Sequence, residues 1–112
     1  MPFLTIADLP PREPRPGWVG RFFHSDHMTF ASYVIAPGAD VHPHSHPYEE
    51  VWNVLEGELE LVIGDERRVL SAGDAAIVPS GVTHSARAVA RCRAIIVDHP
   101  VRESVGGVKT TE

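Results

Sequence analysis

Between Val19 and Asp98 apolar and polar residues alternate in short runs, the period of a β-strand with one buried face. Eight segments carry this pattern: 19–24, 29–35, 50–55, 58–63, 67–71, 75–78, 84–89 and 93–98. They are rich in Val, Ile and aromatic residues. Turn-forming pairs separate them, among them Pro37-Gly38, Glu56-Gly57, Gly64-Asp65 and Gly73-Asp74. In one of them Leu59, Leu61 and Ile63 share a face, and Glu58, Glu60 and Val62 take the other. No segment shows a helical stripe of useful length. Strands at this spacing predict an all-β sandwich or barrel.

The two ends break the pattern. Residues 8–17 hold four prolines and no periodicity, which predicts an extended arm rather than a helix. Its apolar front, Phe3, Leu4 and Ile6, suits a strand on the edge of a partner's sheet, and so a homodimer. Residues 104–112 are polar around Gly106-Gly107 and are expected to fray unless docked. The division is an arm at 1–17, a β domain at 18–103 and a tail at 104–112. A chain of 112 residues makes one domain with a real but modest core.

Composition narrows the function classes. Apolar residues make up 43% and charged residues 22%, as in ordinary soluble globular proteins. The formal charge of −5, with nine Arg and one Lys scattered along the chain, argues against nucleic acid as a partner. The single cysteine, Cys92, excludes an internal disulfide and reads as a buried, inert thiol in a strand. No apolar run reaches membrane-spanning length, and the start lacks a basic segment followed by an apolar one. The expected location is the cytoplasm, with no membrane partner.

The segment from Gly38 to Gly57 brings in chemistry. His42, His44 and His46 stand at alternate positions, and Glu50 follows after a turn. Alternate strand residues share a face, so His44 and His46 point the same way, and Glu50 has the same parity. A further histidine, His84, closes a second stretch that begins at Gly73. Three imidazoles and a carboxylate form a donor set for one divalent transition-metal ion. Fe, Mn, Co, Ni, Zn and Cu all accept it, with one or two positions left for water or substrate.

These residues resemble the two signature motifs of the cupins. The first runs Gly, five residues, His-X-His, three or four residues, Glu, six residues, Gly, and Gly38, His44, His46, Glu50 and Gly57 match it. The second is matched by Gly73, Pro79, Gly81 and His84, while its Asn position holds Ala88; that Asn is not a metal ligand in the family. The short stretch from Gly57 to Gly73 is similar to that of small microbial cupins. The resemblance implies a single-domain jelly-roll β-barrel of the double-stranded β-helix type, usually homodimeric. It places the metal inside the barrel.

Several neighbours can serve the site. His42 keeps the parity of His44 and faces the cavity, unless Pro43 twists the register and leaves it at the rim. Tyr48 lies near the mouth, where it can donate a hydrogen bond to a ligand. Glu49 is the fallback ligand. Trp52 should point inward beside the metal, for packing or for lining the pocket. His24 and His27, around a turn with Asp26, read as surface residues. Pro100 and Arg102 are similar to a Pro-X-Arg element ending several small cupins. In those acting on unsaturated uronates, its Arg is proposed to grip the substrate carboxylate. Ile96 and Asp98 do not match the residues that precede it there, and a surface salt bridge is the plainer reading.

A metal in such a barrel suits a small, polar, oxygen-rich metabolite as ligand or substrate. Two activities follow. A dioxygenase needs two open coordination positions, and a sugar-acid or keto-acid isomerase or lyase needs an acid or base beside the substrate. His42, Tyr48 and Arg102 are the candidates for catalytic contact. A non-catalytic metal or small-molecule binder needs only the pocket. No helix-turn-helix pattern is attached, which disfavours a ligand-sensing transcription factor.

Overall fold

The computed structural model describes residues 2–102, 104–105 and 108–109. Ten strands form two antiparallel sheets: β1 (Arg12–Arg15), β2 (Trp18–His24), β3 (Thr29–Ile35), β4 (Asp40–His44), β5 (Glu49–Glu56), β6 (Glu58–Ile63), β7 (Glu66–Ser71), β8 (Ala75–Val78), β9 (His84–Ala88) and β10 (Cys92–His99). One sheet has the order β1-β2-β3-β10-β5-β8, the other β4-β9-β6-β7. Neighbours far apart in sequence, such as β3 with β10 and β4 with β9, produce the crossovers of a jelly roll. No α-helix occurs among the described residues.

All eight segments expected from the alternation are strands, to within a residue or two at their ends. Two lie outside those eight segments. β4 contains His42-Pro43-His44, the stretch whose histidines were read by strand parity. β1 lies inside the Pro-rich arm and pairs with β2 of its own chain, in which Arg15 faces Trp18. In the apolar front of the arm Ile6–Asp8 form a single 3-10 turn. Part of the tail expected to fray is paired as well: β11 (Ser104–Val105) and β12 (Val108–Lys109) form a small ladder. The remaining tail positions, and the proposed boundary at 103, lie outside the described residues.

The core fills the space between the sheets. Inward positions of β10 (Cys92, Ala94, Ile96, Asp98) are buried, while the intervening residues are partly open. Leu59, Val54, Ile35 and Val78 are fully shielded, and Trp18 meets Trp52 edge-to-face at 6.2 Å. Each such side chain contributes about 1.5–3 kcal/mol by leaving water. Gly57 makes the β5–β6 turn with φ +81°, and a Cβ there would collide with the backbone of Arg91 and Cys92, so the motif glycine is sterically required.

Candidate metal centre

The site forms where the two sheets face each other. His44 ends β4 and pairs directly with His84 at the start of β9, so their side chains rise from neighbouring strands on one face. The β4–β9 register slips by one residue between Val41 and His44. This bulge lets both Val41 and His44 point inward although they are three apart. It also ejects His42, which is exposed on the outer face among Asp40, Glu60 and Arg87. The alternate placement of the three histidines is therefore not a shared face. Pro43 sits in the slip, and His42 is exposed.

His46 lies in the loop after β4. Its carbonyl accepts a hydrogen bond from Gly81 N at 2.8 Å, and Ser80 Oγ donates to Pro47 O at 2.9 Å. The Pro79–Gly81 turn of the second motif thus clamps the loop of the first. Glu50 comes from β5 in the opposite sheet. Glu49, the fallback ligand, is exposed and points away.

The three imidazoles are oriented alike. Nδ1 of His44 contacts His42 O at 2.9 Å, Nδ1 of His46 contacts Tyr48 O at 3.2 Å and Nδ1 of His84 contacts Val82 O at 2.9 Å. A carbonyl can only accept, so each Nδ1 carries the hydrogen and each Nε2 presents a lone pair. The ligand atoms of the three histidines lie within 4.8 Å of one another. Glu50 reaches them from the other side, with Oε2 3.3 Å from His46 Nε2 and Oε1 3.3 Å from His84 Nε2. Both nitrogens are buried and lack a hydrogen-bond donor. Lone pairs that face a carboxylate repel it unless a cation lies between them. The donor set therefore fits a divalent metal ion on its own chemistry, and the carbonyls behind the rings are the supports metal-bound histidines use.

Electrostatics agree. Burial lowers the pKa of His44, against its backbone hydrogen bond. Burial also acts to lower that of His84, but the adjoining Glu50 carboxylate and the Val82 carbonyl outweigh it and the net shift is upward, so a proton and a cation compete for its Nε2. Burial acts to raise Glu50, yet His84, Asp98 and the Trp52 indole, whose Nε1–H donates to Oε1 at 2.9 Å, bring it down to about 2. The carboxylate is thus ionised and ready to bind a cation.

Two side chains beside Glu50 complete the cavity. Asp98 pairs with Glu50 across β10 and β5 and is buried; burial and the adjoining Glu50 carboxylate push its pKa up to about 8. Arg102 donates to Asp98 Oδ2 at 3.3 Å, lies 3.8 Å from Glu50 Oε2 and stacks over the Tyr48 ring at 5.1 Å. The plainer reading of Arg102 as a surface ion pair is corrected here: the pair exists, but it lies in the cavity wall. Tyr48 lies under Arg102 with its carbonyl against His46, and Trp52 is buried beside Glu50. His27 is exposed, whereas Nδ1 of the half-buried His24 is shut off from solvent.

The cavity is about 110 Å³ in volume, and its wall includes His44, Glu50, Trp52, Asp98 and Arg102. Tyr33, Trp18 and Arg15 line it too, and none of these three was a candidate from sequence. Asp98 could have been found by parity, because it follows Cys92, Ala94 and Ile96 on the inward face of its strand. Arg15 carried no such signal, since the pairing of β1 was not legible in a Pro-rich stretch.

The chain belongs to the cupin family: the family model described as "Cupin domain" (Cupin_2) matches residues 31–98. It is 39% identical over 64 residues to the uncharacterized protein YdbB of Bacillus subtilis (strain 168), a stretch that covers 55% of this chain and 57% of YdbB. It therefore spans little more than half the length of that relative. Its fold matches an RmlC-like cupin from Shewanella frigidimarina with a TM-score of 0.86 and 24% identity, over 92% of this chain and 94% of the other. KdgF from Halomonas sp. gives the same TM-score and identity, over 92% and 96%. At that identity the likeness shows the fold alone. No helix among the described residues is long and apolar enough to cross a membrane.

Proposed function

We propose that this cupin binds one divalent transition-metal ion through His44, His46, Glu50 and His84 and acts on a small, oxygen-rich, anionic metabolite, as an isomerase or lyase. The observation that supports this most directly is the convergence of the unpartnered Nε2 atoms and the Glu50 carboxylate next to Arg102 and Asp98. A bound metal ion would supply Lewis acidity to a substrate oxygen. The chain's own groups do the rest. Arg102 presents a guanidinium to a substrate carboxylate, Asp98 offers a carboxyl group for proton transfer at the wall, and Trp52 and Trp18 keep the inner end dry.

Dioxygenase chemistry is the rival, because four protein ligands on a six-coordinate ion leave two open positions. One experiment separates the readings. Protein purified without an affinity tag is analysed for metal, then assayed for turnover of unsaturated uronates and keto sugars, and for oxygen uptake with Fe(II) and a panel of catechols and diketones. Turnover without oxygen consumption supports the proposal. Oxygen uptake replaces it with a dioxygenase, and silence in both assays with tight ligand binding replaces it with a binding protein. We also infer a homodimer, on the grounds that Phe3, Leu4 and Ile77 are exposed apolar side chains. Deleting residues 1–11 should shift the sedimentation coefficient towards a monomer, and an unchanged value overturns that inference.

A further inference from the structure

The arm brings a cation to the cavity that the metal centre does not use. β1 and β2 are joined by Pro16-Gly17, a turn with Gly17 at φ +85° that fits a type II geometry. The turn is packed so closely that a Cβ on Gly17 would lie 2.6 Å from the Ala39 side chain. Gly17 N also donates to Glu13 Oε2 at 2.9 Å, and Ala36 N donates to Gly17 O at 2.9 Å. Arg15 is therefore held in register opposite Trp18, whose side chain is buried in the cavity wall. Residues directly opposite in an antiparallel pair share a face, so Arg15 leans over the same cavity.

Two arginines thus meet one pocket, and their charges are differently committed. Arg102 is paired with Asp98 and Glu50. Arg15 forms no ion pair among the described residues. Burial raises the Tyr33 phenol to about 12, against the opposing pull of Arg15 first and Arg102 second, so both cations act on the same stretch of wall.

We propose that Arg15 grips a second anionic group of the substrate, so that the ligand is a small diacid held by its metal-binding head at one end and by Arg15 at the other. The inference rests on the metal-centre reading given above and deepens it. Guanidinium suits bidentate binding of a carboxylate. The cavity volume leaves room for on the order of ten non-hydrogen atoms, the size of a five-carbon keto diacid.

The test uses the full chain loaded with Ni(II) and two probes that differ only at the far end, α-ketoglutarate and α-ketovalerate. Their heads chelate a metal identically, and only the first carries a distal carboxylate. Calorimetry should show the native protein binding α-ketoglutarate about tenfold tighter, a preference that shrinks as salt is raised because Arg15 stands at the rim. Arg15→Gln should abolish the preference without weakening α-ketovalerate, and Arg15→Lys should restore part of it. Arg102→Gln should weaken both probes alike. Equal affinities in the native protein, or a preference that survives Arg15→Gln, overturn the role of Arg15 and leave the metal centre standing. Failure of both probes to bind the Ni(II)-loaded chain overturns the diacid inference, whereas failure of the chain to take up Ni(II) overturns the metal-centre reading.

Discussion

The interior of the six-stranded sheet has two unlike ends. At one, Glu50, Asp98 and Thr29 stand in a transverse row across β5, β10 and β3, all buried, at 5%, 2% and 0% exposure. Four residues along the same strands the row reads Val54, Ala94 and the partly buried Tyr33, packed with Leu59 and Cys92. The same strands run through both ends, with a register slip between Arg93 and Ala94 at the apolar one, and the contrast between the two rows lies in their side chains. The apolar end gains free energy by leaving water, and the polar end loses it unless every charge finds a partner. A fold can hold a metal centre of this kind only because its other half is stable enough to carry the cost.

This contrast predicts separable damage. Leu59→Ala should cost about 2–5 kcal/mol in urea unfolding while the folded protein still binds one metal per chain. Loss of metal stoichiometry in the folded variant would show that the two ends are not independent. At the polar end, His84→Ala should weaken metal binding by about a hundredfold or more, with the far-ultraviolet circular dichroism of the sheet retained. An unfolded variant would mean that the metal centre holds the barrel together, as in a zinc finger, and the contrast would fail.

Trp52 belongs to both ends, because its ring packs on Trp18 while its Nε1–H serves Glu50. Trp52→Phe keeps an aromatic ring and removes the donor. We expect metal affinity to fall about tenfold and stability to drop by about 1 kcal/mol. A large loss of stability with unchanged affinity would place Trp52 in the core alone.

Much of this was legible in the sequence. The period-two alternation located eight strands, and the spacing of His44, His46, Glu50 and His84 picked out the side chains that converge. Alternation works because one face of each strand is buried, and that is a local property. What it could not show is how a strand slips against its neighbour. The bulge at Val41/His44 reverses the meaning of parity, so His42, which counts as a partner of His44, lies outside. Nor can period-two reasoning see β1, where prolines hide a strand, and Arg15 was lost with it. Arg102 was visible as a motif residue but was assigned to the surface, because its inward placement depends on Asp98, a charged residue on an apolar face.

The smallest effect provides the sharpest check of that slip. His42 and His44 have ring centroids 6.0 Å apart, and a regular strand would give both to the metal. In the bulged strand only the backbone of His42 serves the site, by accepting the Nδ1–H of His44. Side-chain replacement leaves that carbonyl in place. His42→Ala should therefore keep metal affinity within about twofold of the native value, whereas His44→Ala should lose about a hundredfold. Competition against a chelator of known affinity reads both in one experiment. A loss of tenfold or more in His42→Ala would mean that the ring swings inward, and the outer position assigned to it by the register of β4 and β9 would be wrong.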